Sequence, residues 1–288
     1  MCGIAGFVND MPIDVKCPVL QRMTDMIAHR GPDSEGHYID EHAALGHRRL
    51  SIIDLGGGQQ PIYNEDGSKV ITFNGEIYNY QTLREELIAA GHTFTTKSDT
   101  EVLLHGYEQW GVDLLQRVRG MFTFVIWDKN KQELFGARDH FGIKPFYYAK
   151  MNGTFMYASE IKSLLRHPDF VKELNAEALK PYMTFQYPAI GETFFKGVYK
   201  LPEGHYFTYR DGKMDIHRYY DEDFREGKQK LGELVNSIDQ TVCDSVKAHQ
   251  IADVEVGSFL SSGVDSSYVA AVARPQHTYS IGFGKGTY

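Results

Sequence analysis

The sequence predicts a layered α+β domain that gives way, near its end, to the opening of an α/β domain. Three observations point there. Between residues 121 and 158, short segments rich in aromatic and β-branched residues alternate with a period of two, the mark of half-buried strands. Two helical stretches precede them, and helices amid many antiparallel strands imply layers. Past Tyr220 a charged run is followed by strand, small-residue turn, helix and strand, which is the start of a parallel sheet. The chain has 288 residues, 42% of them hydrophobic, enough for about two domains with cores.

Residues 3–8 (GIAGFV) read as a strand entering the core, and LGHRRLSII (45–53) and KVITFNGEIYN (69–79) as two more. The turn-rich DLGGGQQPIYNEDGS separates the last two. YQTLREELIAAG (80–91) reads as a helix with Leu83, Leu87 and Ile88 on one face and Gly91 as its stop. SDTEVLLHGYEQWG (98–111) reads as a second helix, capped by Ser98 or Asp99. MFTFVIWD, KQELFGARD, KPFYYAK and TFMYASE form an expected antiparallel meander, with turns at DKNK and KMNG. A helical interlude at 160–185 precedes the strand-like TFFKGVYKL, HYFTYR and KMDIHRYY. DEDFREGKQK (221–230) reads as a linker. LGELVNSIDQTVCDSVKAH follows as an amphipathic helix with Leu231, Leu234, Val235, Ile238, Val242 and Val246 on one face. VEVGSFL, SSGVDSS, YVAAVA and HTYSIGF then supply strand, turn, helix and strand. Two strands cannot make a doubly wound sheet alone, so this domain is expected to be incomplete.

Lys plus Arg number 30 and Asp plus Glu 38, a net charge of −8. That balance gives no general electrostatic reason to bind nucleic acid or an anionic membrane. No apolar run approaches the ~18 residues of a membrane span, and Asn9, Asp10 and Asp14 interrupt any signal peptide. Three cysteines, Cys2, Cys17 and Cys243, suit a reducing compartment better than a disulfide framework. No Cys/His group has zinc spacing. The expected setting is cytoplasmic.

Cys2 follows the initiator methionine directly. Once Met1 is removed, Cys2 carries a free α-amine, with an ordinary pKa of about 7.7–8.0, beside its own thiol. Base and nucleophile then sit on one residue, and the end of a chain is where a spare amine is found. The thiol, ordinarily near pKa 8.5, needs only modest help to ionise. CGIAGF, HRGPDSEG (29–36), HRRLSII (47–53), NGEIYNY (74–80) and SDTEVLL (98–104) together resemble the class II glutamine amidotransferases. ARDHFGIKPFYYA (137–149), ASEIKSLL (158–165) and LPEGHY (201–206) narrow the resemblance to the glutamine-hydrolysing asparagine synthetases and their close relatives. It covers nearly the whole chain, in order.

The resemblance implies an N-terminal-nucleophile glutaminase domain, an αββα sandwich, over 2–220, a linker over 221–230, and an incomplete ATP-pyrophosphatase domain over 231–288. It makes Cys2 the nucleophile and Asn74 and Gly75 the oxyanion donors. Arg49 would fork the glutamine carboxylate and Asp99 would hold its ammonium, with Glu76 positioning it and Leu50, Ser51, Ile52 and Ile53 beside it. Read alone, Arg49 is an ordinary arginine like its neighbour Arg48, Asn74-Gly75 a turn dipeptide, and Asp99 a helix cap.

VEVGSFLSSGVDSS resembles the pyrophosphate loop SGGxDS of ATP pyrophosphatases, with Ser261, Gly263, Asp265 and Ser266 matching and Ser262 in place of the second glycine. A small-residue turn leading into a helix converges N–H groups on phosphate. By the same resemblance Leu260 and Ile281 border the adenine and Asp265 takes part in holding Mg2+. GFGKGTY lacks Walker spacing and reads as a tail. The implied activity is hydrolysis of glutamine by Cys2 to glutamate and ammonia, for ATP-dependent amidation of aspartate. Alternatives are another carboxylate or sugar acceptor, or a module that binds glutamine without turnover. A homodimer, or pairing of an open sheet edge with a separate chain, stays open.

Overall fold

The computed structural model describes residues 1–187 and 189–282. The chain divides into two compact units, Met1–Glu222 and Asp223–Tyr288. Among the described residues the first unit holds two six-stranded sheets. Its strands are β1 (Gly3–Val8), β2 (Ser34–Ile39), β3 (Ala43–Arg49), β4 (Ile62–Tyr63), β5 (Lys69–Ile77), β6 (Gly120–Asp128), β7 (Glu133–Arg138), β8 (Tyr147–Met151), β9 (Thr154–Ala158), β10 (Val198–Lys200), β11 (His205–Arg210) and β12 (Lys213–Arg218). Its helices are α1 (Ile13–Asp25), α2 (Tyr80–Ala89), α3 (Asp99–Trp110), α4 (Ile161–Leu164) and α5 (Leu179–Phe185). One sheet runs β10-β8-β9-β1-β3-β2 and the other β12-β11-β7-β6-β5-β4.

Alternation along each strand builds four layers. On β1, Ile4 faces the space between the sheets, where it meets Val70, Val125 and Trp127 of the second sheet. Ala5 and Phe7 face the other way, onto Val19, Leu20 and Met23 of α1. On the far side, α3 packs on the second sheet through Tyr107, stacked 4.6 Å from Phe135. The order is helix, sheet, sheet, helix, the sandwich that the resemblance implied.

Several local expectations change. The helix α1 is not legible in the local pattern because Pro18 lies inside it; tertiary burial of Val19, Leu20 and Met23 outweighs that penalty. Ile88 is exposed rather than on the packed face of α2, which buries Tyr80, Leu83 and Leu87. Ser98, not Asp99, caps α3, accepting from the Thr100 N–H. The expected meander is two hairpins in different sheets: β6 pairs with β7 and β8 with β9. The break falls at Arg138 and Asp139. Arg138 donates to the carbonyls of Gly142, Lys144 and Leu201. The Asp139 carboxylate accepts from the N–H groups of Phe122, Phe141, Ile143 and Lys144. This knot turns the chain out of one sheet and into the other.

In the second unit, residues 221–230 form no regular element, α6 (Leu231–Ala248) carries the amphipathic segment, and β13 (Ser258–Phe259), α7 (Val264–Ala273) and β14 (Thr278–Tyr279) follow. The strands β13 and β14 pair in parallel, as a βαβ unit requires. None of the described residues of this unit is buried; Leu231, Leu234, Val235 and Ile238 of α6 are exposed. The tail reading of GFGKGTY falls, from residue 283 onward, outside the described residues.

Close packing at Gly6 gives a test. A Cβ there would stand 2.5 Å from the Ala44 carbonyl oxygen and 2.4 Å from the Tyr157 hydroxyl. Gly6→Ala is expected to cost about 1–3 kcal/mol, lowering Tm by several degrees in a thermal melt.

Candidate active site

Cys2 precedes the first residue of β1, and Gly3 is paired with Arg48 of β3. That register sets the cysteine beside the residues just past β3. Its Sγ accepts from the Leu50 N–H at 3.4 Å and lies 3.5 Å from the Leu50 carbonyl oxygen. The Arg30 Nε donates to the Cys2 carbonyl at 2.9 Å, fixing the backbone of the chain end. Burial pushes the Cys2 thiol above its ordinary pKa, opposed by the Leu50 N–H and the terminal amine. The easily formed thiolate expected from the sequence is therefore not what this environment favours. A thiol held here needs a base within reach when it reacts.

Cys2 lines a narrow cleft of about 40 Å³ together with Arg49, Leu50, Ile52, Ile53, Asn74, Gly75, Glu76 and Asp99. Ser51 is not among the lining residues; its N–H donates to Asp33 at 2.8 Å. Arg49 is buried, and its guanidinium donates to the carbonyls of Ile53 (3.0 Å), Asp54 (2.6 Å) and Leu55 (3.4 Å). A Cβ on Gly58 would lie 2.7 Å from Arg49 Nη2, so the glycine leaves room for the head group. Arg48, by contrast, pairs with Asp25 and Glu35.

Asn74 and Gly75 lie inside β5, opposite Thr123 and Phe122, which removes the turn reading. Phe122 gives its N–H to the Asp139 carboxylate and accepts the Asp139 N–H. Gly75–Phe122 is thus a non-hydrogen-bonded pair, and the Gly75 N–H points away from β6. Gly75 is required for packing: a Cβ would stand 2.2 Å from the Met121 carbonyl oxygen. Asn74 is 1% exposed, and both its Nδ2 and Oδ1 are buried with no hydrogen-bond partner. An uncompensated buried amide costs about 1–3 kcal/mol.

Asp99 opens α3 and accepts the Ile77 N–H at 3.0 Å. Burial, with the nearby Glu76 charge, raises its pKa to about 7. A buried carboxyl with so high a pKa welcomes a cation.

Gln60 and Lys144 in the cleft, and His47 behind its wall, have no role in the sequence reading. Gln60 grips Phe73, accepting its N–H at 2.6 Å and donating to its carbonyl at 3.2 Å, and also donates to the Thr100 hydroxyl. His47, held neutral by burial at a pKa of about 3, also donates to the Phe73 carbonyl; it sits behind the cleft wall. Lys144, delivered by the Arg138–Asp139 knot, is 2% exposed and lies 2.9 Å from Met1 Sδ. The motif ARDHFGIKP was visible in the sequence, but only the fold turns its lysine toward Cys2.

The nucleotide-loop residues lie in the second unit. Ser261 and Ser266 converge, Oγ to Oγ at 3.1 Å, and Ser266 Oγ donates to the Gly263 carbonyl. Gly263 precedes α7 without a side-chain cap, and Asp265 is in the first turn. Ser262 adopts φ +65°, in the left-handed region that glycine enters without penalty, at a cost of about 1–2 kcal/mol. Leu260 donates its N–H to the Tyr279 carbonyl, and Ile281 is exposed.

Residues 1–220 match the sequence model of the glutamine amidotransferase domain, and residues 237–288 match that of asparagine synthase. Asparagine synthetase [glutamine-hydrolyzing] 1 of Bacillus subtilis is 45% identical over 291 residues, covering 98% of this chain and 46% of the relative. Amidase chry2 of Gibberella zeae is 35% identical, covering 94% of this chain and 42% of its own length. The chain spans about half the length of the curated relatives it matches. Among solved structures, the glutamine phosphoribosylpyrophosphate amidotransferase of B. subtilis superposes with a TM-score of 0.57 at 17% identity, over 97% of this chain and 65% of that one; at that identity the likeness is one of fold. A family match over three quarters of the sequence, with the sandwich fold beside it, makes this chain a member of the glutamine amidotransferase domain family.

Proposed function

We propose that the first unit hydrolyses glutamine to glutamate and ammonia through Cys2. In a longer protein that includes this chain, the ammonia would serve ATP-dependent amidation of aspartate. The observation that carries the reading is Asn74: a buried side-chain amide without a partner in the wall of the cleft that Cys2 lines. Its Nδ2 donor is satisfied when a substrate oxygen arrives.

The chemistry follows from the groups present. Removal of Met1 frees the Cys2 α-amine. That amine takes the thiol proton as sulfur attacks the glutamine amide carbon. Burial keeps the resting thiol protonated, so proton transfer and attack run together. The oxyanion receives the Asn74 Nδ2–H and the Gly75 N–H. The amine then returns the proton to the departing nitrogen, ammonia leaves, and a γ-glutamyl thioester remains. Water, activated by the same amine, releases glutamate. Arg49 would hold the α-carboxylate and Asp99 the α-ammonium, while Lys144 contributes positive charge beside the reacting sulfur. In the second unit the Ser261–Ser266 turn and the uncapped start of α7 fit a pyrophosphate, with Asp265 beside them for Mg2+. Bound ATP would supply activation of the acceptor carboxylate.

Glutamate release measured with glutamine alone tests this. Cys2→Ala should be inactive, and mass spectrometry should show active preparations lacking Met1. Asn74→Ala should lower kcat on the order of 100–1000-fold with KM changed only severalfold. If Asn74→Ala keeps near-parental kcat, the oxyanion assignment fails. Asp99 must be ionised to pair with the ammonium, so KM should rise up to about tenfold per unit as pH falls below the Asp99 pKa of about 7. Its raised pKa means the folded state loses stability as pH climbs from the ordinary carboxylate range through 7. Asp99→Asn should therefore raise Tm at pH 8 by a few degrees while flattening this KM profile.

A further inference from the structure

A second group of ligating side chains lies outside the Cys2 cleft. Glu65 precedes β5, His92 follows α2, and His105 and Glu108 lie on α3; one ligand atom from each falls within 4.8 Å of all the others. His105 Nδ1 is 3.2 Å from Glu65 Oε2 and 3.1 Å from Glu108 Oε2, and His92 Nδ1 is 3.0 Å from Glu65 Oε1. Tetrahedral zinc with bonds of about 2.0–2.1 Å has ligand–ligand edges of about 3.3 Å, within a few tenths of these separations.

The surrounding hydrogen bonds point the same way. His92 Nε2 faces Gln109 Oε1 at 3.3 Å, and His105 Nε2 faces Glu101 Oε1 at 3.5 Å. Each Nδ1 stands within hydrogen-bond distance of a carboxylate oxygen, Glu65 for His92 and Glu108 for His105, so it donates there and a metal would take the place of that hydrogen; an acceptor stands on the Nε2 side of both rings, as a metal-bound imidazole requires. The Glu101–His105 contact is too long for a good hydrogen bond, and His105 Nε2 is buried without one. Glu101 itself is locked by the N–H and hydroxyl groups of Thr95 and Thr96. Glu108 is oriented by the Asn64 Nδ2–H at 2.7 Å, and Glu65 by the Thr93 N–H at 3.1 Å. The carboxylates of Glu65, Glu101 and Glu108 face the two imidazoles and the Lys69 ammonium, 3.5 Å from Glu108. A divalent cation taking the place of the imidazole hydrogens would balance this acidic cluster.

We propose that Glu65, His92, His105 and Glu108 form a structural site for a divalent transition ion, Zn2+ by its two-nitrogen, two-oxygen donor set. The ion pins the turn before β5, the turn after α2 and the helix α3. The first residue of α3 is Asp99, so the site braces one wall of the cleft. Spacings of 27, 13 and 3 residues match no zinc signature, so the site is not legible in the sequence.

The test is titration of chelator-treated full chain with ZnCl2 by calorimetry, and with Co2+ by absorption. One ion per chain is expected, with visible bands of tetrahedral Co2+ and no thiolate charge-transfer band. His92→Gln and Glu65→Gln, checked for folding by circular dichroism, should each weaken binding at least about tenfold. Absence of saturable binding, thiolate bands, or binding unchanged in both folded variants overturns the proposal. These readouts do not involve glutamine, so the result stands apart from the proposed hydrolysis.

Discussion

The site depends on one strand edge that is left without a neighbouring strand. The partner strand β4 covers only Val70 and Ile71 of β5. Past that point the outward N–H and C=O groups of β5 must find partners elsewhere. Gln60 and His47 take those of Phe73, and Asp99 takes the Ile77 N–H. Between them, Gly75 turns its N–H to the same side. A fully paired β5 would have no donor to offer a ligand. The short β4 is therefore as much a part of the site as the residues that touch it.

The same edge links cleft and scaffold. Gln60 bonds both Phe73 and Thr100, so the strand that carries Asn74 and the helix that presents Asp99 are fixed to each other. The other wall is set by the register of β1 against β3, which brings Cys2 next to Leu50. Two sheets and one helix start thus deliver Cys2, Asn74 and Asp99 to a common place on a rigid frame, and the segment 50–61 adds Leu50, Ile52, Ile53, Gly58 and Gln60 to the cleft wall. That rigidity is what lets a buried amide such as Asn74 be held unpaired.

Much of this was legible in the sequence, and the exceptions have physical causes. The strand at GIAGFV, the helix at 99–110 with its Ser98 cap and the βαβ turn at 258–279 follow from local pattern. The cleft residues Arg49, Asn74 and Asp99 were legible only through the ordered motifs; alone, each had an ordinary structural reading. The helix α1 was hidden by Pro18, whose cost is outweighed by packing that no local window contains. The switch of sheets after β7 was hidden because Arg138 and Asp139 act through backbone groups several residues away. Gln60 carries no local signal, and the motif around Lys144 does not say where its lysine points: what matters is which strand end and which chain terminus they meet in space.

Met1 lies in the cleft, with its sulfur against Lys144. Under the proposed mechanism a retained Met1 is a stopper, and its removal by an aminopeptidase becomes a licensing step. A host that trims initiator methionine slowly would yield a mixed population, folded alike but differing at one end. Under the same mechanism an affinity tag fused ahead of Cys2 would keep its amine acylated in every molecule, so the handle belongs at the opposite terminus.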